Sequence, residues 1–281
     1  MGPPLEQREH AMRSTAARRT ALAASAACLA LLATACGGSE SGGKDEDKAK
    51  AEKSASAEPA AKAMTSAELE KLALADGDVE GHTVEKAGPE DTVSAKDVSV
   101  DKKECEPLVH AQLGVAPGDP AATVLRKVVQ EPEKPEEDGS QNDGELTDED
   151  FENFEEAIKG AFDLTATAVS LSSYEGDGAE KAVADLRAAA DACSGGFNGG
   201  IKGDEQKVTG VKAEKVTGGE EAHAWTLTAE HEGDPVPFKL AVVRQGGTLA
   251  VFSSYNLASA GSGEDFDLPT AVIDAQAKKL G

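Results

Sequence analysis

Basic residues are scarce in this chain: 28 lysines and arginines stand against 52 aspartates and glutamates, giving a formal net charge of −24. Such a chain repels phosphate backbones and anionic head groups. No basic stripe interrupts the acidity, so nucleic-acid binding is excluded. Aromatic residues are few, with one Trp, two Tyr and seven Phe in 281 residues, and the large apolar side chains present are needed for a core. A lipid or glycolipid carrier, which needs an apolar cavity of several hundred Å³, is therefore the alternative to a binding module and not the first reading. No apolar run reaches the roughly 20 residues that cross a bilayer. No Gly-x-Ser-x-Gly elbow occurs, and Gly176-Asp177-Gly178 is not followed by the Gly-Lys-Ser/Thr of a phosphate loop, so it reads as a turn before a helix. No repeat of fixed period is visible.

What is present begins with a leader. Arg13, Arg18 and Arg19 precede an apolar stretch from Ala21 to Ala35, which has the length of a signal-peptide core. It ends in Ala33-Thr34-Ala35-Cys36-Gly37-Gly38, which resembles the lipobox of bacterial lipoproteins. Small residues admit the peptidase, and the Cys36 thiol is the nucleophile toward a diacylglycerol donor. One departure is that Leu32 lies four residues before Cys36, where Ala33 holds the usual apolar position three before. Glu6 and Glu9 do not suit a positive leader, so Met12 is the expected start. Arg18-Arg19 is followed by Thr20-Ala21-Leu22, not by a twin-arginine continuation, which points to the general secretory route. The expected protein is lipidated at Cys36, carries palmitate-type acyl chains, and sits on the extracytoplasmic face of a bacterial cell membrane.

Four cysteines are present. Cys28 leaves with the leader and Cys36 is consumed by lipid, so Cys105 and Cys193 remain. Outside the cytoplasm two such residues form a disulfide, here closing a loop of about ninety residues. Two thiols with no histidine at ligand spacing are too few for structural zinc.

Residues 1–35 are thus the signal peptide and 36–64 a disordered tether. Gly37 to Ala63 has no apolar residue larger than alanine and gives a root-mean-square reach of about 30 Å. The domain spans 65–281. Thr65 or Ser66 caps a helix carrying Leu69, Leu72 and Leu74 and ending at Asp76-Gly77-Asp78. Val79–Ala87 reads as extended, Lys102–Leu113 as a helix stopping at Gly114, and Ala121–Gln130 as a strand. An acidic loop over Glu131–Glu145 leads to a capped helix from Thr147 with Phe151, Phe154 and Ile158 on one side. Phe162–Tyr174 reads as a strand and Gly178–Cys193 as an amphipathic helix. Glu205–Val216, Ala222–His231, Val236–Arg244 and Thr248–Tyr255 form an antiparallel meander, with Gly218-Gly219, Gly233-Asp234-Pro235 and Gly246-Gly247 at the turns. Trp225, Leu227, Phe238, Leu240, Val242, Leu249, Val251 and Phe252 are its expected buried face. A helix over Leu268–Leu280, with Val272, Ile273 and Leu280 toward the sheet, completes one α+β domain.

Chemistry-bearing constellations are thin. Asp138 to Glu149 has the length of a calcium loop, but its sixth position holds Asp143 where the turn requires glycine. His82, His110, His223 and His231 are scattered; the last two lie eight apart on one strand, too far to share a metal. The sequence therefore predicts no metal site, no cofactor and no catalytic residues. A wall-polymer enzyme would need two carboxylates about 5–10 Å apart, and nothing singles out a pair.

Several features together carry a resemblance: the capped helix from Thr65, Cys105-Glu106-Pro107-Leu108, the helix ending in Cys193, Glu220-Glu221-Ala222 leading into Trp225-Thr226-Leu227, and Leu240 to Val251. The span from Thr65 to Gly281 resembles actinobacterial envelope lipoproteins related to the extracellular sensor domain of PknH-type serine/threonine kinases. The resemblance implies a twisted antiparallel sheet packed with helices, and a cleft for an extracytoplasmic small molecule, glycan or protein. This chain has no kinase region and fewer cysteines than the two-disulfide kinase domain. No ligand-binding residues carry over, because the match contains no ligand motif.

Overall fold

The computed structural model describes residues 62–132, 160 and 162–281. Cys36, the leader, the tether up to residue 61, most of the acidic loop and the helix expected from Thr147 lie outside the described residues.

Nine strands form one antiparallel sheet: β1 His82–Lys86, β2 Val98–Val100, β3 Ala122–Gln130, β4 Thr165–Ser173, β5 Phe197–Ile201, β6 Asp204–Glu214, β7 Glu221–His231, β8 Asp234–Gln245 and β9 Thr248–Asn256. Their order across the sheet is β1-β3-β4-β9-β8-β7-β6-β5-β2. Among the described residues the helices are α1 Ser66–Leu72, α2 Glu106–Gln112, α3 Gly178–Ala192, α4 Leu257–Ser262 and α5 Thr270–Leu280. The expected meander is β6 to β9, with its turns at the predicted glycines. The fold is α+β.

The meander strands are buried on both sides, not on one. Leu240 to Val243 are four consecutive buried residues, and alternate ones serve opposite faces. Trp225, Leu227, Leu240, Val242, Leu249 and Val251 pack against α2 and α3. Phe252, expected beside them, points the other way with Ala241, Val243 and Ala250, into a second core made with α1 and α5. Among the described residues the result is three layers, with α2 and α3 on one side of the sheet and α1 and α5 on the other.

Polar anchors hold the outer layers. The Thr65 hydroxyl accepts from the Glu68 amide at 3.4 Å while the Glu68 carboxylate accepts from the Thr65 amide at 2.8 Å, a capping box that starts α1. That helix stops at Leu72, before the expected Asp76-Gly77-Asp78. Arg126, buried on β3, donates to the Leu74 carbonyl at 2.8 Å and to Glu70 at 2.7 Å, tying the end of α1 to the sheet. Gln276 on α5, fully buried, accepts from the Leu74 amide and donates to the Leu72 carbonyl. On the same face Lys239 is only 2% exposed, and its three N–H donors meet Glu214 at 2.6 Å, Asp265 at 2.9 Å and Thr226 at 2.9 Å.

Two strands were not expected, β2 and β5. β1 and β2 are close in sequence yet occupy opposite edges of the sheet. Nine strands at about 4.8 Å spacing span roughly 38 Å if flat. Residues 87–97, which join the edges, would have to be fully extended to reach that far, and they contain two 3-10 turns, Pro89–Asp91 and Ala95–Asp97. The sheet must therefore curl. This strap is pinned at one end by Ala87 N–H to the Leu125 carbonyl and at the other by Lys202 N–H to the Asp97 carbonyl at 2.8 Å.

Candidate functional site

Inside the curl, on the face that carries α2 and α3, lies a groove of about 380 Å³. Its origin is visible in the cross-strand rows. In one row Leu125, Ser170, Val251 and Val242 are neighbours, and valines there pack in the core with α2. One row further on stand Lys127, Ala168, Ser253 and Leu240, and beyond that Val129, Ala166 and Tyr255. Two alanines and a serine leave the floor without bulk just where α2 has ended at Gln112. The open space is what the side chains do not fill.

The surrounding elements set its walls. Ser253 Oγ donates to the Gln112 carbonyl at 2.6 Å, so the sheet itself satisfies a free carbonyl at the C-terminal end of α2. Gly199 and Gly200 of β5 form the opposite wall. A Cβ on Gly199 would sit 2.8 Å from Val109 Cγ2, and Gly200 has φ +156° with the Asp204 carbonyl 2.6 Å from where a Cβ would stand. Both glycines let β5 close on its neighbours. The strap contributes Ala87 and Asp91. Asp91 accepts from the Gly88 amide at 2.8 Å and from Lys127 at 3.2 Å. The Gly88 amide first and Lys127 second hold its carboxyl below the usual range, and Asp91 in turn raises Lys127.

Tyr255 is 44% exposed, a high value for an aromatic residue, and lines the groove together with half-buried Phe238. Gln112 and Gln206 are half-buried in the lining. Among the described residues neither side-chain amide has a hydrogen-bond partner. Asp204 lies at the same wall and makes no ion pair among the described residues.

Of the residues singled out in the sequence, Cys105 and Cys193 stand bonded at a Cα separation of 5.9 Å, both fully buried. They join the 3-10 turn leading into α2 to the end of α3, and so fix the helix whose last residues close the groove. The histidines do not come together: among the described residues no group of His, Cys, Asp or Glu side chains is arranged to hold a metal. His223 pairs with Glu221 at 3.1 Å and stacks on Trp225. A second hollow of about 1020 Å³ lies between α4 and the 264–269 segment, and its rim at Gly160 and Phe162 flanks residues outside the described set. None of the groove's lining was assigned to a site from the sequence: Phe238 was expected only as core, and alanines and glutamines signal nothing until the strand register is known.

His110 lies on α2 just ahead of the groove. Its Nε2 is buried without a hydrogen-bond partner among the described residues, and Glu106 Oε1 is 3.9 Å away. Burial pushes the imidazole below its ordinary value of 6.5, and Glu106 offsets this only in part. The unfolded chain therefore binds more protons than the folded one just below pH 6.5, so stability present above that pH falls as the pH drops through it. The melting temperature of the wild type is expected to decline between pH 7.5 and 5.5 more than that of a His110→Leu variant. This window lies above the range where Glu70 and Asp91, both held low by partners, take up protons. Parallel profiles for the two proteins would contradict the assignment.

No protein-family profile matches the chain, and no curated protein matches it. A solved structure similar to it is the crystal structure of the extracellular domain of PknH from Mycobacterium tuberculosis, with a TM-score of 0.45 and 10% identity, covering 78% of this chain and 96% of that one. The likeness is loose, and no residue role is carried from it.

Proposed function

We propose that this chain is a lipid-anchored extracytoplasmic lipoprotein whose domain is a non-enzymatic, sensor-like binding module, with the groove beside α2 as its site. The observation that carries the binding role is the groove itself, with an exposed tyrosine and two half-buried amides that have no partner among the described residues. A site of this kind, concave and mostly apolar with a few placed polar groups, is what small ligands occupy. Placement at the membrane rests on the sequence: Arg13, Arg18 and Arg19, the apolar stretch, and Cys36 behind small residues. The tether lets the domain stand off the lipid surface by about 30 Å. Both sheet faces are filled by core side chains, and the open groove at the surface favours recognition over carriage of a lipid in an enclosed chamber.

Replacing Cys36 by alanine is expected to release the protein into the medium or leave it unprocessed, with loss of acyl labelling. Unchanged membrane fractionation and labelling would remove the anchor from this reading. For the binding role, native mass spectrometry of protein taken from the envelope, with thermal shifts against wall fragments and lipids, is expected to show a bound species or a raised melting temperature. A flat result across every compound counts against it.

A further inference from the structure

We infer that the groove binds a neutral sugar ring, with Tyr255 as the surface on which the ring stacks; this rests on the groove being the binding site. Tyr255 faces Ala166 across the β4–β9 pair, so an alanine stands where a larger neighbour would cover the aromatic face. The floor continues over Ala168, again without bulk. The result is a flat shelf ending in an exposed ring. Saccharide rings present a patch of C–H groups on one face and hydroxyls around the edge. The positively polarised C–H face suits the negative face of an aromatic ring.

The edge chemistry agrees. Gln112 and Gln206 approach from the α2 end and from β6, and each side-chain amide both donates and accepts. Hydroxyls do the same, so each can be paired whichever way the sugar presents it. Asp204 adds an acceptor. A hydrocarbon ligand would bury these groups without partners, which opposes binding. Charge narrows the class further. The lining's cation, Lys127, is engaged by Asp91, Arg126 turns to Glu70 and the Leu74 carbonyl on the other face, and the chain as a whole carries −24. Carboxylated and phosphorylated ligands are disfavoured, and a neutral polyhydroxyl ligand is not. The volume, about 380 Å³, lies at the low end of the range for small-ligand sites, about 300–1,000 Å³.

The test uses the full chain in lipid nanodiscs prepared without sugar detergents. Saturation-transfer NMR and calorimetry are run with cellobiose, N,N′-diacetylchitobiose, glucuronic acid and myristate. The expected result is binding of at least one neutral disaccharide, with strongest saturation on ring C–H protons and no binding of glucuronic acid. Tyr255→Ala is expected to weaken that binding by about tenfold or more, and Ala168→Trp to abolish it by filling the shelf, with both variants melting near the wild type. Should Ala168→Trp destabilise the fold, Tyr255→Ala together with Gln206→Ala carries the same comparison. Disaccharide binding unchanged in Tyr255→Ala overturns the inference. If myristate binds and the sugars do not, and Ala168→Trp blocks myristate, the groove remains a binding site and the sugar assignment falls. If no probe binds, both the assignment and the groove's role fall.

Discussion

Removing the Cys105–Cys193 bond by replacing both residues with alanine is expected to lower the folding free energy by about 4–5 kcal/mol. The bond spans a sequence separation of 88 residues, and in the chain-entropy account a loop of that length removes about this much from the unfolded state. Alanine is the better replacement because both sulfurs are fully buried, and serine would add buried hydroxyls to the loss. A domain of this size is typically stable by only about 5–15 kcal/mol, so the variant stands near the edge of folding. Urea titration of wild type, reduced wild type and the double variant measures it, and coincident midpoints would refute the estimate. Labelling of free thiols before and after reduction should differ by two. Because the bond ties the start of α2 to the end of α3, the variant should also lose the affinity proposed for the groove while still folded, since Gln112 and Leu113 lose their fixed position.

Gln276→Leu is expected to destabilise by about 2–4 kcal/mol although it replaces a buried amide with a good core residue. Gln276 takes the Leu74 amide at 3.2 Å and gives to the Leu72 carbonyl at 2.9 Å. Leucine would leave the buried Leu74 N–H and the part-buried Leu72 carbonyl unpaired, and a buried group left so costs about 1–3 kcal/mol. The site has little room for water to substitute, because the side chain is fully buried. Thermal and denaturant unfolding report the loss, and amide hydrogen exchange should show Leu74 losing protection first. A melting temperature equal to that of the wild type would mean the junction of α1 and α5 is held by packing alone.

These two residues also mark what the sequence could show. The Cys105–Cys193 pairing was legible because the expected leader and the expected lipidation of Cys36 set the other two cysteines aside. The four meander strands were legible to within a few residues because glycine pairs punctuate them and their β-branched and aromatic content is high. The start of the helix at Thr65 was legible through its cap candidates Thr65 and Ser66, and its end was placed too late, at Asp76 instead of Leu72. By contrast β5, Phe197-Asn198-Gly199-Gly200-Ile201, reads as a weak strand. It is one because its glycines let the backbone close on Val109 and pair with β2 and β6. The two-sided burial of Leu240 to Val243 was written in an unbroken apolar run, yet the alternating template assigned Phe252 to the wrong face. The groove and the Gln276 junction were hidden for a common reason. Each depends on residues far apart in the chain, Ala168 beside Ser253, Leu74 beside Gln276, and no local pattern announces such a neighbour.

The strap over residues 87–97 bears on how the domain is assembled. Its two flanking strands come early in the chain, but β1 waits for β3, and β2 has no partner until residues 197–201 arrive. β4 in turn needs β9, the last strand. A polypeptide delivered N-terminus first cannot close this sheet piecemeal; the curl is completed only after nearly the whole domain is available. Pairings of such long sequence separation fold slowly. On the export route proposed above, a slow-closing sheet would suit a chain that has to stay threadable until it has crossed the membrane.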